Sequence, residues 1–139
     1  MDIGKRILIV DDEPQSVTIA IDCLKDAGYK LRCVSDATQA WEILNNDPDL
    51  YDAVILDRVM PEFDGIALLT KIKKSRKLRD IPVIMETIKE DSETYLTALE
   101  AGAYDLIYKP LEKNFLLYVV NNAIEDIKDG NQKNISKQN

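Results

Sequence analysis

Five short, mostly apolar runs, at residues 7–10, 31–34, 53–56, 83–85 and 106–108, punctuate the chain. Between them lie longer stretches in which apolar residues recur every three or four positions. Short continuous apolar runs read as strands buried on both faces, and the longer periodic stretches read as amphipathic helices. Pro14 suits a first helical turn, and Val17, Ile21 and Leu24 keep helical spacing until Gly28 stops the element. Asp36 with Gln39 three residues on has the form of a capping box, opening a helix through Trp41, Ile43 and Leu44. Residues 65–74 carry Ile66, Leu69 and Ile72, and residues 92–101 carry Tyr95, Leu96 and Leu99. The last helix has the clearest stripe: Leu116, Val119, Val120, Ala123, Ile124 and Ile127.

Repeated strand and helix units predict an α/β fold: a parallel sheet with right-handed crossovers and helices on both faces. Five units of this size fit a flavodoxin-like, doubly wound domain with strand order 2-1-3-4-5. A site is then expected at the strand C-termini where the order reverses. The 139 residues suffice for one domain with a real core, expected over 1–128, with 129–139 as a polar tail or the start of a linker.

Composition narrows the function. A net charge of −7 argues against nucleic-acid binding by the chain as a whole, although Lys71, Lys73, Lys74, Arg76, Lys77 and Arg79 crowd one helix end. That cluster reads either as a solvated helix end suited to the dipole or as a docking patch. No apolar run is long enough to span a bilayer and none forms a signal segment, so a cytoplasmic location is expected. Cys23 and Cys33 read as buried free thiols. The chain contains no histidine, which removes histidine-based triads, most zinc sites and any phosphohistidine of its own.

The strand tips carry the chemistry. The first run leads into Asp11, Asp12 and Glu13, and the third ends on Asp57, followed by Met60-Pro61 and Asp64-Gly65. Strands one and three flank the switch point, so Asp11 and Asp12 are expected beside Asp57, with carboxylates about 5 Å apart. At an effective dielectric near 20 such a like pair repels by roughly 3 kcal/mol, so either a proton or a cation must offset it. Oxygen donors without histidine or cysteine suit a hard ion such as Mg²⁺ that keeps several waters. Thr87 after the fourth strand offers a hydroxyl, and Lys109 before Pro110 offers an ammonium on a long stem. Each residue alone has a plainer reading: Asp11 and Asp12 as caps of the Pro14 helix, Asp57 as a turn residue, Thr87 as a loop hydroxyl. Together, at the ends of four different strands, they compose an aspartyl-phosphate site.

On these elements the sequence resembles the receiver domains of two-component response regulators, the CheY-like family, over about residues 5–127. The motifs are Ile7-Leu8-Ile9-Val10-Asp11-Asp12-Glu13-Pro14; Leu56-Asp57-Arg58-Val59-Met60-Pro61 with Asp64-Gly65; Pro82-Val83-Ile84-Met85-Glu86-Thr87; and Ala101-Gly102-Ala103 leading to Lys109-Pro110. The resemblance implies that Asp57 accepts a phosphoryl group from the phosphohistidine of a sensor kinase or phosphotransfer protein. It implies Mg²⁺ on Asp12, Asp57 and the Val59 carbonyl, with Asp11 acting through water. Thr87 and Lys109 would meet the phosphoryl oxygens. Such a domain is a self-modifying relay rather than an enzyme. Its output partner is not readable here, a phosphorylation-dependent dimer is one form of response, and the responding face is the fourth helix, fifth strand and fifth helix.

Three positions depart from the family pattern. Leu106 stands where an aromatic residue usually couples to the threonine, although Tyr104 and Tyr108 share its strand parity. Ile88 replaces a small residue after Thr87. Val59 occupies a position that in some relatives orders the hydrolytic water. The last two predict slow phosphorylation by small donors and slow self-dephosphorylation. The alternative reading is a pseudo-receiver that binds partners without phosphorylation. A haloacid-dehalogenase-type hydrolase would need a second Asp two positions after Asp57, where Val59 stands, and a flavodoxin would need a hydroxyl-rich phosphate loop after the first strand, where the acids stand.

Overall fold

The computed structural model describes residues 4–60, 63–88 and 92–128, with side chains except those of Phe63, Ser92, Ile127 and Lys128. Pro61 and the expected tail at 129–139 lie outside the described residues. Five parallel strands form one sheet: β1 (Arg6–Val10), β2 (Lys30–Val34), β3 (Ala53–Asp57), β4 (Val83–Thr87) and β5 (Asp105–Tyr108), in the order 2-1-3-4-5. The helices are α1 (Pro14–Leu24), α2 (Ala37–Asn46), α3 (Gly65–Lys74), α4 (Ser92–Glu100) and α5 (Lys113–Lys128). A 3-10 turn at Lys25–Ala27 extends α1, and Val59–Met60 pairs antiparallel with Phe63–Asp64 in a small ribbon beside the sheet. The apolar pattern indicated neither of these short pieces.

Strand alternation divides the core in two. Ile7, Ile9, Ile55, Ile84 and Ile107 pack with Leu24 of α1 and Leu116 and Val120 of α5. Leu8, Val10, Val54, Leu56, Met85 and Leu106 pack with Leu44 of α2, Leu68 and Ile72 of α3 and Ala98 of α4. Helices therefore cover both faces, which is why β3 and β4 are buried along their whole length.

Local signals set the element ends. Glu13 has extended backbone before Pro14 at the first helical position, and Gly28, at φ 88°, closes the 3-10 turn in the left-handed region that glycine adopts without strain. Asp36 accepts from Gln39 N at 2.7 Å, as its capping pattern predicts. Cys23 is buried as expected, but Cys33 is exposed. The correction follows from topology, because β2 is an edge strand and most of its residues keep contact with solvent.

Candidate functional site

Val10 pairs with Leu56 in the parallel register, so the chain leaves β1 and β3 side by side at the same edge. Asp11 follows β1, and Asp57 is the last residue of β3. One carboxylate oxygen from each of Asp11, Asp12 and Asp57 lies within 4.8 Å of the others, close to the spacing expected from strand separation. Asp11 and Asp57 are buried and Asp12 is half-buried. Asp11 is fixed from two sides: its amide donates to Val34 O at 3.1 Å and its Oδ1 accepts from Glu13 N at 2.9 Å. The helix-cap alternative for Asp12 fails, because Glu13 is the N-cap residue of α1 and makes no side-chain cap bond.

Lys109 lies one residue past β5, and β4 separates that strand from β3. Its stem must cross β4, and its Nζ ends 3.2 Å from Asp11 Oδ2 and 3.5 Å from Asp57 Oδ2. The ammonium bridges the two carboxylates. Lys109 N also donates to Thr87 O at 2.9 Å, and Thr87 pairs in register with Tyr108, which places Thr87 at the same edge as the last, buried residue of β4.

The small ribbon secures the other side. Val59 N donates to Asp57 Oδ1 at 3.3 Å, and the Val59 side chain is 68% exposed. Arg58 Nε pairs with Asp64 Oδ1 at 3.3 Å, and that same oxygen caps α3 by accepting from Ile66 N at 2.9 Å. Gly65 then sits so close to β3 that a Cβ there would lie 2.4 Å from Asp57 O and 2.9 Å from Met85 Cε. Asp64-Gly65 is thus the piece that docks α3 against β3.

Electrostatics follow from this crowding. Burial, then the neighbouring Asp11 charge, pushes the Asp57 carboxyl up from 3.8 to about 6, against the pull of Lys109 and the Val59 amide. Burial pulls Lys109 down, but Asp57, Asp11 and Glu86 together outweigh it and hold the ammonium above its ordinary value. Glu86 is the group that sequence reading missed. It pairs in register with Asp57, is 0% exposed, and neither carboxylate oxygen has a hydrogen-bond partner among the described residues. Burial pushes it from 4.5 to about 8, with Asp11 and Asp57 adding to the rise and Lys109 opposing it.

Leu106 is buried in the core beneath α4, and Tyr108 sits directly across from Thr87. Ile88 is 78% exposed and stands on the wall of a cavity of about 210 Å³ with Gln15, Ser16, Ile19, Lys109 and Leu111. Ile88 therefore flanks the approach to Lys109. Leu96, Tyr108, Phe115 and Tyr118 expose apolar surface on α4, β5 and α5.

Comparison with known proteins agrees with the geometry. The response regulator receiver domain family matches residues 7–121. The chain is 35% identical over 126 residues to the DNA-binding transcriptional regulator NtrC of Rhizobium meliloti, covering 90% of this chain and 25% of that protein. It is 35% identical over 116 residues to the phosphate regulon transcriptional regulatory protein PhoB of Pseudomonas aeruginosa, covering 83% of this chain and 49% of that protein. The chain thus spans between a quarter and a half of the length of these relatives. A crystal structure of a putative response regulator from Chloroflexus aurantiacus superposes with a TM-score of 0.82 at 30% identity, covering 88% of this chain and 98% of that one. Four strand tips, one edge and one matching family lead to the same place: the chain belongs to the response regulator receiver domains of two-component systems.

Proposed function

We propose that Asp57 is a phosphoacceptor, charged by the phosphohistidine of a sensor kinase or phosphotransfer protein, and that the domain relays this state to an output partner. The observation that carries the reading is the bridge from Lys109 Nζ to both Asp11 and Asp57 inside a three-carboxylate cluster. A carboxylate oxygen of Asp57 forms the new O–P bond as the P–N bond to the donor imidazole breaks. The imidazole nitrogen keeps the electron pair and takes its proton from solvent. At neutral pH a carboxyl near 6 is mostly ionised, as the nucleophile must be. Lys109 and Thr87 neutralise and orient the phosphoryl oxygens from β5 and β4, while the Val59 amide holds the Asp57 carboxylate.

The donor set suits Mg²⁺: three carboxylates, all oxygen, with no histidine in the chain. Asp12, Asp57 and the Val59 carbonyl would hold the ion, with Asp11 acting through water. When bound it supplies positive charge against the transferring phosphoryl oxygens. The domain transfers a phosphoryl group only to itself and later loses it to water, so it is not an enzyme acting on other molecules. Its setting is the cytoplasm, and among the described residues no helix is long and apolar enough to cross a membrane.

Buried Leu106, standing where the family usually has an aromatic residue, favours a second reading, a module that binds partners without phosphorylation. Acetyl phosphate with Mg²⁺, read by intact mass, separates the two. One added phosphoryl group, absent in Asp57→Asn and under chelation, supports the phosphoacceptor. No addition, repeated with a phosphorylated kinase and with beryllofluoride, refutes it in favour of the binding module.

A further inference from the structure

Six of the chain's 18 basic residues fall between 71 and 79, followed by only one acid, Asp80, in a chain of net charge −7. One of the six has a structural task. Lys73 Nζ donates to Arg79 O at 2.9 Å and to Ile81 O at 2.7 Å, which ties the turn after α3 back onto the helix. Leu78 and Ile81 are buried beneath the same turn, so its shape is held from two directions. Lys71, Lys74, Arg76, Lys77 and Arg79 are all exposed. Lys71 lies over the Trp41 ring, 4.4 Å from its centre, and the other four form no ion pair with a described residue.

The helix dipole does not account for this patch. Its field acts on the last turn, which ends at Lys74, whereas Arg76, Lys77 and Arg79 lie beyond it. Like charges held on a fixed turn repel one another, less so in salt, and an anion would relieve that repulsion while ordering little. The patch is also distant from the acidic cluster. α3 leaves the tip of β3 and runs back along the sheet, and the turn delivers the chain to the start of β4. A five-residue strand, roughly 16 Å, separates the two edges.

We propose that the basic turn over residues 71–79 docks a short acidic segment of a partner protein, leaving the Asp57 edge open while it is bound. The two arginines suit carboxylates, which they can grip through paired N–H groups. Nucleic acid fits less well, because Lys71 covers a face of the Trp41 ring, on which a base could stack. An extended polyanion or an anionic bilayer would also meet the remaining, strongly negative surface, whereas a short peptide touches the turn alone.

An oligoglutamate peptide titrated into the whole chain at physiological salt tests this through Trp41, the single tryptophan, whose emission changes as Lys71 is drawn off its ring. The expected result is a saturable change that weakens about tenfold in a Lys74→Gln, Arg76→Gln, Lys77→Gln variant, three exposed charge contacts together being of that order. Thermal midpoint and acetyl phosphate labelling of Asp57 should be the same in that variant. No saturable change, equal affinity in the variant, or tighter binding of an oligothymidylate or of phosphatidylserine vesicles would overturn the proposal. The tryptophan titration does not depend on Asp57, so a failure here and a failure of the phosphoacceptor reading are distinguishable.

Discussion

Glu86 makes the stability of this domain depend on pH in an unusual direction. A carboxyl raised from 4.5 to about 8 keeps its proton in the folded chain over a range where the unfolded chain has released it. Stability therefore falls as pH rises between about 4.5 and 8 and is flat below that window. Integrating the linkage from pH 5 to pH 7 gives a loss of about 2.5 kcal/mol from Glu86. Asp57, raised from 3.8 to about 6, has the same sign and adds about 1.3 kcal/mol over the same interval. Against a domain stability of roughly 5–15 kcal/mol these are large effects. The interval from pH 5 to 7 is clean because the chain has no histidine, and Lys73, lowered to about 8 chiefly by burial, titrates mainly above pH 7. The assay is urea unfolding in chelator at pH 5, 6 and 7, in an Asp57→Asn background that removes the second carboxyl. Adding Glu86→Gln should flatten the profile. Adding Glu86→Leu should both flatten it and stabilise the domain by about 1–3 kcal/mol, since a buried polar group without a partner is replaced by an apolar one. If the Asp57→Asn, Glu86→Gln protein lost stability between pH 5 and 7 as steeply as its parent, Glu86 would not be the group that holds a proton in the folded domain over that interval.

Three further perturbations probe the site. Gly65→Ala forces a Cβ to within 2.4 Å of Asp57 O and should destabilise by about 1–3 kcal/mol, with acetyl phosphate labelling of Asp57 slowed as well; unchanged unfolding and labelling would show that α3 can move away without displacing Asp57. Lys109→Met leaves two buried carboxylates facing each other and should cost roughly 3 kcal/mol in chelator at pH 7, while binding Mg²⁺ more tightly because the competing ammonium is gone; titration calorimetry showing weaker binding would contradict this. Ile88→Ala should leave stability within about 0.5 kcal/mol, since the side chain is 78% exposed, and should speed labelling by acetyl phosphate; equal labelling and decay rates would remove Ile88 from any account of access.

What sequence could and could not reveal follows from how many residues each feature needs. The β-strands and their order were legible because a mostly apolar run repeats one signal over three or four positions, and the same runs pointed to Asp11, Asp57, Thr87 and Lys109 at or just past their ends. The ribbon of Val59–Met60 with Phe63–Asp64 has two residues per strand and no period to read. Cys33 shares the alternation of a buried strand, and its exposure depends on β2 being at the sheet edge, a fact of order rather than of local pattern.

Glu86 is the most informative of these misses. Ending the fourth strand at Met85 put Glu86 in a loop, where a glutamate needs no explanation. The strand instead continues through Thr87, and alternation from Ile84 turns Glu86 onto the sheet face shared with α1 and α5. The same register that aligns it with Asp57 places it under the path Lys109 must take from β5 to the acidic cluster. A neutral carboxyl there adds no charge to the site near pH 7 and leaves Lys109 committed to Asp11 and Asp57. An ionised one would offer the ammonium a third partner. Local propensity therefore concealed the position that most distinguishes this edge, and the pH profile of the Glu86 variants reads directly whether that buried carboxyl holds its proton.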